Sequence, residues 1–138
     1  MLTAGYLFVA LLPVQSAESP DTDIARLQGF WEMRVRQNGV ELRIVKEVVD
    51  RKETVTVYRG TEVVHSHHVA FEIDFTGDVR IFRWRNGMDI AGPNKGKPKP
   101  DGRFIYRLEE DRWTGIFGAL EGETRPVYVE QYRRIPPP

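Results

Sequence analysis

The sequence predicts an all-β fold, an eight-stranded antiparallel up-and-down barrel preceded by a short helix. Three observations predict it. Apolar and polar residues alternate with a period of two through most of the chain after residue 28, the pattern of half-buried strands. Turn-forming residues interrupt these runs roughly every ten residues. The connections read as hairpins, so each strand is antiparallel to its neighbour, and a meander of eight closes naturally into a barrel that leaves no free edge.

The elements follow in order. Residues 18–23 are polar and read as a linker, with Asp21 or Asp23 capping a short helix over Ile24–Gln28. Trp31, Met33 and Val35 alternate with Glu32, Arg34 and Arg36 in the first strand. Asn38-Gly39 follows, a hairpin signal because both residues tolerate positive φ. Val40–Val49 is the second strand and Thr54–Tyr58 the third. The fourth carries Val63, His65, His67, Val69, Phe71, Ile73 and Phe75 on one parity. In the fifth, Val79–Asn86, Val79, Ile81, Arg83 and Arg85 compete with Phe82 and Trp84 for the interior, and the pattern leaves both faces open. Residues 87–102 are rich in Gly and Pro and read as a long loop. Arg103–Leu108, Arg112–Phe117 and Arg125–Arg134 complete the set, and the terminal prolines cannot extend a ladder.

Composition narrows the function. The 138 residues suffice for one domain with a core. Lys plus Arg and Asp plus Glu number 20 each, without the basic surplus of a general nucleic-acid binder. There is no cysteine, which excludes disulfides, thiolate metal sites and a catalytic thiol. Neither Gly-x-Ser-x-Gly nor a phosphate loop nor a dinucleotide fingerprint is present, so the chain does not read as an enzyme. Residues 1–17 read as a signal peptide. An apolar run from Tyr6 to Leu12, too short to span a bilayer, is broken at Pro13 and followed by small residues, although no Lys or Arg precedes it. The expectation is an exported chain, periplasmic or extracellular, with no integral membrane segment after cleavage. Residues 24–135 form the barrel domain.

The opening Leu27-Gln28-Gly29-Phe30-Trp31 resembles the Gly-x-Trp start of lipocalins and the related fatty-acid-binding barrels. In those families the Trp closes one end of the barrel, and a basic residue from the last strand packs across it. The resemblance implies that Gly29, Trp31 and a terminal arginine form this closure. Arg133 is the expected partner, because it shares parity with Val127 and Val129. The series Lys52–Tyr58, Val79–Phe82, Gly92–Gly96 and Tyr132-Arg133-Arg134 is similar to a family of small exported lipocalin-like proteins of planctomycete bacteria, for which no activity is established.

His65 and His67 are the sharpest chemical feature. Two apart on a strand, they project to the same side. If that side is interior, they offer two nitrogen ligands to zinc or copper, or an axial ligand to haem, with Glu53 and Tyr58 the nearest sources of a third metal ligand. They can equally be structural, hydrogen-bonded histidines at the rim. Lys95, Lys97 and Lys99 read either as a solvated loop or as an anion gate at the mouth. The expected function is binding of a small apolar or amphipathic molecule inside the barrel, contacted by His65, His67, Tyr58, Phe71 and Tyr106. Met33, Val35, Val55, Val57, Val69 and Phe104 are further wall candidates. Three alternatives stand beside it: a metal or haem module on His65 and His67, a filled barrel that meets a cell-envelope protein through its outer surface, and an enzyme, which would need polar groups converging in a cavity with perturbed pKa values.

Overall fold

The structure, a computed structural model, describes residues 18–138, so the expected signal peptide lies outside the described residues. The element order is α1 (Pro20–Leu27), β1 (Gly29–Gln37), β2 (Val40–Val49), β3 (Lys52–Arg59), β4 (Glu62–Thr76), β5 (Val79–Ala91), β6 (Pro98–Lys99), β7 (Gly102–Glu109), β8 (Arg112–Phe117) and β9 (Tyr128–Ile135). Antiparallel pairing runs β4-β3-β2-β1-β9-β8-β7-β5, and β4 pairs with β5 to close the ring. Eight strands thus form a closed up-and-down barrel. The two-residue β6 only pairs back onto β5.

The sequence pattern explains most of these elements. Asn38 and Gly39 both adopt positive φ in the β1–β2 turn, and Gln37 pairs directly with Val40. Of the two candidate faces of β5, Phe82 and Trp84 point inward. Arg83 and Arg85 lie outside, where they pair with Asp74 at 3.0 Å and Glu72 at 2.6 Å. The interior therefore carries no arginine pair from this strand. β5 also runs further than expected, to Ala91, because the loop behind it folds back and supplies β6 as a partner.

The helix differs from its expected form. It begins at Pro20, and Ser19 is its cap, accepting a hydrogen bond from Thr22 N at 3.2 Å. Asp23 is not a cap. It is fully buried and anchors the helix to the floor of the barrel. Tyr106 Oη donates to Asp23 Oδ2 at 2.6 Å, and Arg80 Nη1 donates to both carboxylate oxygens at 3.1 and 2.9 Å.

The closing arginine is Arg134, not Arg133. Its guanidinium lies 4.2 Å from the centroid of the Trp31 ring. The reason is register: Trp31 pairs with Arg134, whereas Arg133 pairs with Glu32 on the outer face. Val127 and Val129, which suggested the inward parity, are about 60% exposed. Tyr128, Glu130, Tyr132 and Arg134 face the interior instead. Arg134 also donates to the carbonyls of Arg26 and Gln28 at the end of α1, so one cation serves both the helix terminus and the indole. Trp31 Nε1 donates to Leu27 O at 2.8 Å. β1 and β9 pair only at Phe30↔Ile135, Trp31↔Arg134 and Glu32↔Arg133.

Aromatic rings fill the half of the barrel near α1. Phe71, Phe82, Phe104 and Phe117 stack in sequence at centroid distances of 4.6, 4.8 and 4.4 Å, and Tyr128 extends the column by another 4.7 Å. Trp113 meets Trp31 edge-on at 5.6 Å. Beside this column the β7 backbone leaves no room for a side chain at Gly102. A Cβ there would lie 2.1 Å from Trp84 Cζ2. Gly102→Ala is expected to push the indole off its 2.9 Å hydrogen bond to Pro100 O and to cost about 1–3 kcal/mol, read by denaturant unfolding.

Candidate functional site

The opposite half of the barrel is not filled. It encloses a cavity of about 220 Å³. Val55, Val57, Val69, Trp84, Phe104 and Phe117 supply its apolar wall. Its polar groups are Lys46, Glu53, His67, Lys99, Arg125 and Glu130. Strand parity places them. Lys46 is in phase with Ile44 and Val48, and Glu53 with Val55 and Val57, so each charge is carried inward by apolar neighbours on its own strand.

Lys46 and Glu53 form an ion pair at 3.2 Å, with both side chains only about 5% exposed. The ammonium also sits over the rings of Trp113 at 4.4 Å, Tyr132 at 4.5 Å and Phe104 at 5.5 Å. The carboxylate is less well served. The Lys46–Glu53 approach is close enough for an ion pair, yet it is not a hydrogen bond, and Glu53 Oε2 has no hydrogen-bond partner among the described residues. Tyr132 Oη donates to Glu130 Oε2 at 3.2 Å. Burial, reinforced by Glu130, pushes the Tyr132 hydroxyl well above its usual range, so it stays a neutral donor.

The two histidines stand at the rim of this cavity. His65 Nε2 and His67 Nδ1 are 2.9 Å apart, within hydrogen-bond distance. His67 is in phase with Val69 and Phe71 and pairs with Val55 across the β3–β4 ladder, which carries it toward the cavity, while the β4–β5 ladder is irregular on both sides of it. Burial, followed by the nearby Lys99 and His65, lowers the His67 pKa to about 3, so its ring is neutral at pH 7. Directly opposite His67 in the ladder stands Asp89. Its Oδ1 lies 3.9 Å from His65 Nε2.

The remaining expected contact residues are placed elsewhere. Tyr58 lies on the outer face, where it pairs with Arg43 and stacks beneath its guanidinium at 4.6 Å. It can therefore supply neither a cavity contact nor a third metal ligand. Phe71 is part of the aromatic column, and Tyr106 is committed to Asp23. Glu53 is interior, but it faces Lys46. Of the five expected contacts, His67 lines the cavity. Of the three loop lysines, Lys99 does so.

Lys46 and Asp89 were not singled out from the sequence. The signal for Lys46 is its phase with Ile44 and Val48. Asp89 follows Gly87 in a stretch that reads as loop, so no periodicity points to it. In comparisons with known proteins, no family model, no curated protein and no solved structure matches this chain. The closed eight-stranded barrel is compatible with a lipocalin-like fold.

Proposed function

We propose that this barrel binds one small amphipathic molecule in its half-filled interior, with the apolar body against Val55, Val57, Val69 and Phe117 and a hydrogen-bond-donating head at Glu53. The supporting observation is the buried Lys46–Glu53 pair on the cavity wall. Replacing such a pair by apolar side chains of similar volume is often neutral or stabilising. A core built for stability alone would therefore gain nothing from it, and it leaves a carboxylate oxygen without a donor. The Glu53 carboxylate, on the cavity wall, is the natural acceptor for a ligand hydroxyl, amide or amine. The cavity is smaller than the ~300–1,000 Å³ clefts that hold drug-sized molecules, so the ligand is compact.

Two further parts of the reading belong here. The motif series from Leu27 to Arg134 supports membership of the planctomycete lipocalin-like family. The apolar run before residue 18 supports export and action outside the cytoplasm.

Native mass spectrometry of the protein purified from its own cells tests the proposal. A single retained small molecule is expected, lost in Val57→Trp, which fills the cavity, and weakened in Glu53→Gln, which removes the charged acceptor. The intact mass of the same sample reports whether residues 1–17 have been removed. A wild-type chain that retains nothing and gains no thermal stability from any member of an amphipathic compound library would refute the binding reading.

A further inference from the structure

We propose that His65, His67 and Asp89 form a binding site for one divalent transition-metal ion of the zinc class at the rim of the barrel. Their ligand atoms all lie within 4.8 Å of one another. The backbone explains why. His65 and His67 are two apart on β4, so their rings leave the sheet on the same side. Asp89 is the direct cross-strand partner of His67 on β5. Three ligands thus come from two adjacent strands of a closed barrel, a more rigid platform than a loop.

The donor set fits borderline cations. Two imidazole nitrogens and one carboxylate oxygen suit zinc, and with an open position they also suit Fe(II). They suit magnesium or calcium poorly, since those ions prefer oxygen ligands. Little rearrangement is needed. Nitrogens bound to one tetrahedral zinc at ~2.0–2.1 Å lie ~3.4 Å apart, against 2.9 Å between the two rings here. Asp89 is held in place by its own backbone: its N–H donates to Lys97 O at 3.0 Å, and its carbonyl accepts from Gly96 N at 2.7 Å. It is also 9% exposed, an uncommon place for a carboxylate that hydrogen-bonds to no other side chain among the described residues. His67 reaches the cavity, so an ion here would have its open position beside the ligand space. Lys99, on the same cavity wall, opposes any cation and sets an upper limit on affinity.

Calorimetric titration of the purified full chain with Zn²⁺, and with Co²⁺ as a visible spectroscopic probe, tests the site. One ion per chain is expected, with Co²⁺ d–d bands and a rise in the thermal midpoint that a chelator reverses. Asp89→Asn, which keeps the side-chain shape, should weaken binding at least ten-fold, and His65→Ala should abolish saturable binding. Neither residue lines the cavity, so loss of metal in these variants is separable from loss of the cavity ligand. Circular dichroism of the metal-free variants checks that the barrel is intact. If His65→Ala does not fold, the Asp89→Asn titration and the wild-type Co²⁺ spectrum still decide the matter. A wild-type chain without stoichiometric binding at millimolar metal would overturn the proposal and leave the histidine pair as a structural hydrogen bond. Unchanged affinity in Asp89→Asn would overturn the three-ligand site.

Discussion

Trp31→Ala is expected to lower the unfolding free energy by about 3–5 kcal/mol, the range for truncating a large buried aromatic. The indole is fully buried and has three kinds of partner, each lost on truncation. Its N–H donates to Leu27 O, its edge meets Trp113, and its face carries the Arg134 guanidinium. Arg134 in turn holds the last carbonyls of α1, so the helix end loosens with the ring. A small domain has a total stability of ~5–15 kcal/mol, so the variant retains a fraction of it. Equilibrium denaturation by urea, followed by circular dichroism, measures the difference. Trp31→Phe, which keeps the apolar ring but not the donor, should lose less. A midpoint close to wild type in Trp31→Ala would show that the indole does not close the barrel. Arg133→Ala, on the outer face, should be nearly neutral.

Asp23→Ala is expected to cost a similar amount, about 3–5 kcal/mol, through a different mechanism. Here no large volume is removed. What is lost is the acceptor for three groups that remain in place: the Tyr106 hydroxyl and the Arg80 and Arg26 guanidiniums. Arg80 keeps only its pairing with the exposed Glu18, so its guanidinium must either stay poorly solvated on the side Asp23 held or move out and take the helix with it. Tyr106→Phe removes one hydrogen bond of this group without stranding a charge, and should cost only ~1 kcal/mol. Limited proteolysis adds a positional readout, because release of α1 in Asp23→Ala exposes Arg26 to trypsin while the strands remain protected. A loss below ~1 kcal/mol in Asp23→Ala would show that the carboxylate is not an anchor.

These two residues mark the limits of what the sequence discloses. Trp31 was legible because an alternating pattern and a Gly-x-Trp opening agree on its position. Asp23 was not: an acidic residue before a short helix has a ready explanation as a cap, and nothing local says that Tyr106 and Arg80 converge on it from strands more than fifty residues away. The eight barrel strands were legible, since period-two patterning and turn residues act locally, but the far end of β5 and the short β6 lie in the stretch that reads as loop. The direction of β9 was misread for a physical reason. Its valines lie outside, and its tyrosines, glutamate and second arginine lie inside, because this barrel uses polar and amphipathic side chains to line a cavity and to cap a helix. The same inversion hid Lys46, a charge carried inward. His65 and His67 were visible as a pair, but their third neighbour depends on register between β4 and β5, which a bulge alters.

The short ladder between β1 and β9 has a consequence for how this barrel is assembled and how it opens. Every other pair of strands in the ring consists of neighbours in the meander, with only the small β6 intervening in one case. This pair joins the first strand to the last, with Trp31 and Arg134 opposed across nearly the whole chain. Seven pairings can therefore zip all eight strands together in order from local contacts, and the final step is a meeting of chain ends, whose entropic cost rises only with the logarithm of the loop length closed. Three paired positions and one cation on one indole hold that junction. Above them, the pairing of β1 with β9 does not continue among the described residues. When the molecule breathes, it opens along this line first.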